Sequence, residues 1–384
     1  MKPLENLTVL DFSQFLAGPS ASMRLADLGA TVIKVERPGS GDICRQLYIS
    51  NLETEGESSL FHSINRNKKS LALNLKDPQD LEKVKALLGK ADVMIQNFRP
   101  GVIERLGLGF EEVQKINPRL VYASVSGYGT EGPWVNKPGQ DLLAQSLSGL
   151  TWLSGDADNP PTPMGLAIAD HICGAHLTQG ILACLVRRGI SGKGGRVDVS
   201  LMESILDIQF EVLSTHLNDG GTQPQRSAKN NAHAYLGAPY GLYKTKNGYI
   251  SLAMGSLPQL AELLSCAQLL EFTKPEDAFD KRDEIKAIIA KTLEGHTSEH
   301  WLSILEAADI WCSDVFTWEK LRQHEGYKVL DMEQTVYAAG GTPLKTLRCP
   351  IRIDGEIFKS ERGAPAVGQH NDDILKDIFT VCSS

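Results

Sequence analysis

The sequence lacks the cysteine and histidine patterns of disulfide-rich and metal-binding proteins. Its seven cysteines are odd in number, are scattered over 384 residues and include no CxxC pair. Disulfides and a zinc cluster are therefore not expected. The nine histidines show no HExxH-like spacing, so the sequence predicts no metal site.

Long apolar runs and an excess of positive charge are also missing. No apolar stretch is long enough to span a membrane, and the N-terminal residues lack the apolar region of a secretory signal. The formal net charge is −8, so no global field would gather nucleic acid. We therefore expect a cytoplasmic protein without membrane or nucleic-acid partners. Any anionic ligand would bind through local Arg, Lys and backbone donors.

The first half of the chain contains an alternation of strand-like and helix-like stretches. Strands that alternate with helices predict βαβ units and a mostly parallel sheet, so the expected fold class is α/β. The strand-like stretches are 7–12, 31–35, 92–96 and 119–124, and the clearest helix-like ones are 18–28, 77–88 and 170–187.

A change in composition near residues 218–236 suggests a second domain. This stretch is polar and rich in turn formers, as expected of a linker or an exposed loop. A hairpin signal at Asn247-Gly248 and two helix-like stretches follow it. We therefore expect a large domain from residues 1–224 and a small α+β domain from residues 225–330. Residues 331–384 are loop-rich and are expected to return to the large domain.

The loops after the predicted strands are the first places to look for a ligand site, because open α/β sheets bind ligands at the carboxyl ends of their strands. The first of these loops contains no GxGxxG, since Gly18 is followed at once by Pro19. A dinucleotide cofactor is therefore not expected. Arg37, Arg99 and Arg105 lie in or just after such loops. Their guanidinium groups suit phosphates, although solvated surface charge is an equally good interpretation.

Asp170 is the most informative single residue. It follows the apolar stretch 165–169 and opens an apolar helix. The helix dipole and free N–H groups stabilise a carboxylate there, and a carboxylate nucleophile must be ionised. The same features fit a plain helix N-cap, which the pattern alone favours.

Six ordered blocks of sequence together resemble the class III CoA-transferases. This family contains formyl-CoA transferase, carnitine CoA-transferase and α-methylacyl-CoA racemase. The resemblance implies a Rossmann-like large domain with a mostly parallel sheet, a small domain, and two identical chains interlinked as rings. It also implies that coenzyme A lies over the strand-end loops. The blocks span 10–42, 96–109, 118–134, 165–185, 192–204 and 363–375.

The resemblance implies that Asp170 is the catalytic aspartate, acylated during transfer. Gln14, in the first strand-end loop, is placed to donate a hydrogen bond to the oxyanion, although it also suits a loop residue that bonds backbone. Coenzyme A is expected as a substrate, and no tightly bound cofactor is expected. The implied coenzyme A contacts are Arg37, Leu71, Asn97, Phe98 and Arg105; of these, Leu71 suits the core equally well.

Transfer and racemisation can be separated by chemistry. Racemisation beside a thioester needs two bases, one on each face of the carbon. The racemase pattern supplies a His 30 residues before its Asp, and that position is Gln140 here. A glutamine cannot accept a proton at neutral pH, so we favour transfer and assign Gln140 to the catalytic neighbourhood. A racemase and a non-catalytic CoA-binding protein are the alternatives.

Overall fold

A computed structural model describes residues 2–49, 51–360 and 362–379. Cys382 and the end of the predicted C-terminal segment lie outside them. The strands in these ranges are β1 (Thr8–Asp11), β2 (Thr31–Glu36), β3 (Glu53–Thr54), β4 (Glu57–Ser58), β5 (Lys69–Ala72), β6 (Val93–Gln96), β7 (Val121–Ser126), β8 (Gly195–Ser200), β9 (Gly241–Lys244), β10 (Tyr249–Met254), β11 (Trp311–Asp314), β12 (Glu333–Tyr337), β13 (Pro343–Leu347), β14 (Arg352–Ile353) and β15 (Glu356–Ile357).

Helices fill much of the remaining described chain. They are α1 (Ala17–Asp27), α2 (Ser59–Asn65), α3 (Pro78–Leu88), α4 (Val102–Arg105), α5 (Phe110–Ile116), α6 (Asp141–Leu147), α7 (Ile168–Ser191), α8 (Leu201–Asp207), α9 (Phe210–Asn218), α10 (Leu257–Leu263), α11 (Asp277–Asp280), α12 (Arg282–Leu293), α13 (Ser298–Leu305), α14 (Trp318–Gln323), α15 (Glu325–Leu330) and α16 (Asn371–Phe379). Among the described helices, none is long and apolar enough to pass through a bilayer.

The main sheet has six strands in the order β5-β2-β1-β6-β7-β8. Every neighbouring pair is parallel, which confirms the predicted α/β class. The chain winds outward from β1 to β5 on one side and from β6 to β8 on the other. The strand order therefore reverses between β1 and β6, and ligands of doubly wound sheets bind at that point.

The central strands are apolar because both faces of the sheet are covered. In β1 and β6, Val9, Leu10, Met94 and Ile95 are at most 1% exposed. Helix α3 packs its apolar stripe, including Val84 and Leu88, onto this core. The helix begins where predicted, because Asp77 caps it by accepting the N–H groups of its first turn.

The chain forms two compact units. One contains residues 1–144, 167–208 and 331–384, and the other contains 145–166 and 209–330. The expected division was 1–224, 225–330 and 331–384. The chain changes unit earlier than residue 224 because the single helix predicted over 202–217 is two helices. The backbone of Gln209 leaves helical geometry (φ −95°, ψ 9°), so α8 ends in the first unit and α9 starts the second.

The second unit contains an antiparallel sheet in the order β11-β10-β9, and the predicted hairpin of β9 and β10 is confirmed. The polar stretch near 218–236 is a loop in which only Ser227 and Ala234 are buried. Of its two interpretations, the exposed loop therefore agrees with the structure, although α12 anchors the loop and it is not a free linker. Arg282 of α12 donates to the Ala234 carbonyl (2.6 Å), and Lys286 donates to Ser227 Oγ (2.8 Å). Ser227 is fully buried as a result.

The final segment contains more regular structure than its loop-rich sequence suggests. Strands β12 and β13 form an antiparallel hairpin, and α16 follows. The His370 N–H donates to the Ser70 carbonyl (3.0 Å), and the Ala72 N–H donates to Asn371 Oδ1 (2.8 Å). These bonds attach the segment to the edge strand β5 of the main sheet.

Candidate active site

A cleft of about 270 Å³ opens at the carboxyl ends of β1, β2, β5 and β6. It is the kind of crevice that a doubly wound sheet forms beside its point of reversal. Of the residues predicted to bind ligand, Gln14, Arg37 and Phe98 line it. The full lining is Phe12, Ser13, Gln14, Lys34, Val35, Glu36, Arg37, Gly41, Asp42, Leu73, Asn74, Leu75, Lys76, Phe98, Val102 and Leu106.

Asn97 shapes the cleft through the backbone of Gln14. Its side-chain Oδ1 accepts the Gln14 N–H (2.8 Å), and its Nδ2 donates to the Gln14 carbonyl (2.7 Å). This amide clamp joins the loops after β1 and β6, the two strands between which the sheet reverses. Asn97 therefore fixes the first strand-end loop, a role that its position in the sequence did not indicate.

The structure places Leu71 and Arg105 away from the cleft lining. Leu71 is fully buried in the core cluster of the first unit, so its side chain packs in the core, as the alternative interpretation had it. Arg105 is exposed at the end of α4. Val102, at the start of the same short helix, does line the cleft.

Sequence reasoning missed the loop that follows β5. Asn74, Leu75 and Lys76 line the cleft, and Lys76 brings an exposed positive charge to its rim. The strand Lys69–Ala72 is short and lies at the sheet edge, so it was not recognised. Identifying it as a strand would have placed the next loop at the same sheet edge as Arg37.

Asp170 lies in the first turn of α7 but is not its N-cap. Helix α7 begins at Ile168, and its N-cap residue, Ala167, has no capping side chain. The cap comes from α6 instead: Asp141 Oδ1 accepts the N–H groups of Ala169 (2.7 Å) and Asp170 (3.3 Å). The predicted capping role of Asp170 is therefore wrong, and its carboxylate is not used to close its own helix.

The backbone N–H of Ala17, in the first turn of α1, lies close enough to the Asp170 carboxylate to lower its pKa. Helices α1 and α7 can approach this closely because position 174 is a glycine. A Cβ on Gly174 would lie 2.2 Å from Ser20 Oγ and 2.7 Å from the Ala17 carbonyl oxygen. The close packing of the two helices thus brings the carboxylate to the positive end of α1.

Burial and a neighbouring charge make Asp170 more basic than an ordinary aspartate. Burial contributes most and the Asp141 carboxylate adds to it, while the Ala17 N–H opposes both; together they raise the pKa of Asp170 to about 6. At pH 7 the carboxylate is ionised about tenfold more often than protonated. Cys173 does not compete as a nucleophile, because burial raises the pKa of its thiol to about 12.

Gln140 is exposed, and its carbonyl oxygen accepts the N–H groups of Leu143 (3.1 Å) and Ala144 (3.0 Å) at the start of α6. Its neighbour Asp141 is the buried residue, only 6% exposed. Of these two neighbours, the structure therefore brings Asp141, and not the predicted Gln140, to Asp170.

The loop between β1 and α1 connects the cleft to the carboxylate. Gln14 lines the cleft, and three residues later the Ala17 N–H faces the Asp170 carboxylate and lowers its pKa. A long anionic ligand held over the strand ends would therefore approach an ionised carboxylate that is partly shielded from water. This arrangement suits nucleophilic chemistry at an acyl carbon.

Known proteins resemble the whole chain. The chain is 34% identical to the succinyl-CoA:glutarate CoA-transferase of Mus musculus, over 99% of this chain and 87% of that protein. It is 33% identical to the acetyl-CoA:oxalate CoA-transferase of Acetobacter aceti, over 98% of this chain and 95% of that one. It is also 32% identical to the succinyl-CoA:mesaconate CoA-transferase of Haloarcula marismortui, over 98% and 96%.

A solved structure and a family model agree with these relatives. The crystal structure of a CAIB/BAIF family protein from Brucella suis matches with a TM-score of 0.83 at 28% identity, covering 98% of this chain and 99% of that one. The model of CoA-transferase family III matches residues 4–371. The family predicted from the sequence blocks is thereby confirmed, and the chain belongs to CoA-transferase family III.

Proposed function

We propose that this protein moves coenzyme A from an acyl-CoA thioester to a free carboxylic acid, with Asp170 as the carboxylate that is acylated. The observation that carries the proposal is the position of Asp170 in the first turn of α7. There it is largely buried, faces the Ala17 N–H and has its pKa raised to about 6. Such a carboxylate is ionised at neutral pH yet poorly hydrated, which favours attack on carbon.

The first half of the reaction transfers coenzyme A to the enzyme. An Asp170 oxygen attacks the thioester carbon, the C–S bond breaks and CoA thiolate leaves, so that a mixed anhydride forms. The thiolate then attacks the aspartyl carbonyl carbon and the anhydride C–O bond breaks. The donor acid is released as a carboxylate, and Asp170 carries coenzyme A as a thioester.

The second half runs the same steps with the acceptor acid. The acceptor carboxylate attacks the aspartyl thioester, thiolate leaves again and a new mixed anhydride forms. The thiolate then attacks the acceptor acyl carbon, which gives the new acyl-CoA and restores Asp170. No net proton is consumed and every intermediate keeps an activated acyl bond, so the cycle needs water to be excluded rather than used.

Each tetrahedral intermediate places negative charge on an oxygen near the start of α1. We assign the Ala17 N–H and the Gln14 side chain as donors to that oxygen. We assign the phosphates of coenzyme A to Arg37 and Lys76, the exposed cations of the cleft lining, since guanidinium and ammonium groups suit phosphate oxygens. Arg105, which lies outside the lining at the end of the short helix that carries Val102, is assigned to the outer end of the same ligand. Phe98 supplies an apolar wall.

The acceptor that we propose is a short dicarboxylic acid, because the named relatives act on glutarate, oxalate and mesaconate. A panel of two- to six-carbon dicarboxylates, each with a monocarboxylate of equal length, would be mixed with succinyl-CoA or acetyl-CoA. Mass spectrometry should find new thioesters of dicarboxylates. Efficient use of monocarboxylates alone would contradict this choice of acceptor.

The nucleophile is tested by trapping. Hydroxylamine added during turnover should convert acylated Asp170 to a hydroxamate, which peptide mass spectrometry distinguishes from one at Asp141. Asp170→Asn should form no adduct and lose transfer activity. A hydroxamate on Asp141, or full activity of Asp170→Asn, would refute the assignment. Deuterium entering the α-carbon in deuterated water without CoA exchange would point to racemisation instead.

The proposal includes an interlinked homodimer, as the family resemblance implies, and a cytoplasmic location, as expected from the sequence. Helix α7 supports an interface between copies, because Val186 and Ile190 are 69% and 87% exposed and such apolar exposure favours association. Light scattering should give twice the mass of one chain, and cell fractionation should find the protein in the soluble fraction. A monomer at micromolar concentration would contradict the dimer.

A further inference from the structure

The loop between β1 and α1 has a backbone that needs external support. Phe15 has φ +65°, in the left-handed region that residues other than Gly, Asn and Asp rarely adopt. Its ring is 49% exposed, so packing of the ring does not supply the support. Strained residues of this kind persist only where their surroundings fix them. Both proposed oxyanion donors depend on this loop, since Gln14 lies in it and Ala17 follows it directly as the first residue of α1.

Buried charges hold the two ends of this loop. Asp11, at the end of β1, accepts both the N–H (3.0 Å) and the hydroxyl of Ser13. Lys34 donates to the Ser13 carbonyl (2.7 Å), and Lys68 donates to the Pro19 carbonyl (3.0 Å) in the first turn of α1. Ala17 thus lies between two clamped points of the chain.

Asp11 and Lys68 also bind one another, 3.0 Å apart, and both are fully buried. Lys68 donates its third hydrogen to Asn65 Oδ1 (2.7 Å), so all three ammonium hydrogens are used. Asp11 additionally accepts the Ser22 hydroxyl of α1 (2.5 Å). The pair therefore fixes α1 relative to β1 through directed bonds from both partners.

A buried ion pair is weak evidence for stability, because well-packed apolar residues often serve as well or better. What an apolar pair cannot do is bind the polar groups of a loop. We propose that Asp11 and Lys68 are positioning residues, an inference that rests on the function proposed above. They hold the β1–α1 loop so that the Ala17 N–H and the Gln14 side chain meet the reacting oxygens at Asp170. Neither residue touches substrate.

The test is the double variant Asp11→Asn/Lys68→Met, which removes both charges and leaves no buried ion unpaired. We expect a folded protein whose kcat falls roughly tenfold to a hundredfold, with KM for acyl-CoA within about twofold, because the cleft cations are untouched. The acid limb of the kcat/KM–pH profile should move to higher pH. The variant would displace the Ala17 N–H, which lowers the pKa of Asp170, while the Asp141 charge, which raises it, remains.

The matched control is another buried ion pair that holds α1, formed at its other end by Asp27 with Arg66, which follows α2; the two groups are 2.7 Å apart. Asp27→Asn/Arg66→Met should change the melting temperature but neither kcat nor the acid limb. If the Asp11/Lys68 double variant fails to fold, Ser22→Ala removes one bond to Asp11 and should give a smaller loss of kcat and a smaller shift of the acid limb in the same direction. A folded variant with unchanged kcat and acid limb overturns the inference.

Hydroxylamine trapping in the same preparations separates the two proposals. If the wild type yields no Asp170 hydroxamate, the proposed nucleophile fails, whatever the double variant does. If the wild type yields it and the double variant forms it equally fast, only the positioning role of Asp11 and Lys68 fails. We expect a hydroxamate in both, formed much more slowly in the double variant.

Discussion

Replacing the nucleophile should make the protein more stable while it abolishes transfer. In Asp170→Asn the amide oxygen can still accept the Ala17 N–H, so the geometry is kept and only the charge is lost. The fold disfavours that charge, because it is largely buried and faces Asp141. A charged active-site group that is buried loses its hydration, and this lowers the stability of the folded protein.

The size of the effect follows from the pKa of Asp170. A rise from 3.8 to about 6 corresponds to about 3 kcal/mol of unfolding free energy lost by the ionised wild type. Because the folded pKa is raised, the loss begins as the pH rises above about 4 and is complete above about 6. We therefore expect Asp170→Asn to be more stable by about 3 kcal/mol at pH 8 and by about half as much at pH 5.

The assay is urea unfolding of both proteins at pH 8 and pH 5, followed by circular dichroism, with the protein concentration held constant. Asp280→Asn is the control, since it removes the same charge from an exposed position and should change stability little at either pH. An Asp170→Asn protein that is no more stable than the wild type at pH 8, or whose advantage grows as the pH falls, would refute the argument that burial and Asp141 oppose the charge.

Three further outcomes follow from the same geometry. The kcat/KM should fall about tenfold per pH unit below pH 6 as Asp170 becomes protonated. Asp141→Asn should move this acid limb to lower pH, and an unmoved limb would exclude Asp141 as a cause of the raised pKa of Asp170. Gly174→Ala should lower kcat at least about tenfold by separating α7 from α1. Gly189→Ala, on the same helix with open space around it, should leave kcat unchanged when both variants are measured under the same conditions. Lys76→Ala should raise KM for acyl-CoA severalfold with kcat nearly unchanged; an unaltered KM would remove Lys76 from the binding site.

Much of the first unit could be predicted because its strands are buried on both faces. Continuous apolar runs such as those of β1 and β6 differ clearly from the polar loops around them. Strand β5 lacks this signal, since it is four residues long and lies at the edge, with Lys69 and Ser70 in its first half. Because β5 was not predicted, the loop that follows it was not placed at the carboxyl edge of the sheet. Lys76, which lies in that loop, was therefore not among the predicted cleft residues.

In the loop at 218–236, local composition predicted the exposure of most residues but gave no guide to tertiary contacts. Its polar residues indicate solvent exposure, yet Ser227 is buried because Lys286 and Arg282 reach the loop from α12. Those cations come more than 40 residues later in the chain. Local amino-acid composition does not indicate which distant side chain will bind a backbone carbonyl.

Asp170 and Asp141 show why residue pattern alone could not separate a helix cap from a nucleophile. Both are aspartates at the start of an apolar helix, and the pattern permits either to close its own helix. In the fold, Asp141 reaches across to cap α7, 29 positions along the chain from Asp170. With its helix already capped, the Asp170 carboxylate is free to face α1, where it carries a charge that the fold disfavours. A carboxylate that served as its own cap would accept more N–H bonds, have a lower pKa and be a weaker nucleophile. The capping by Asp141 therefore frees Asp170 for the chemistry that we propose.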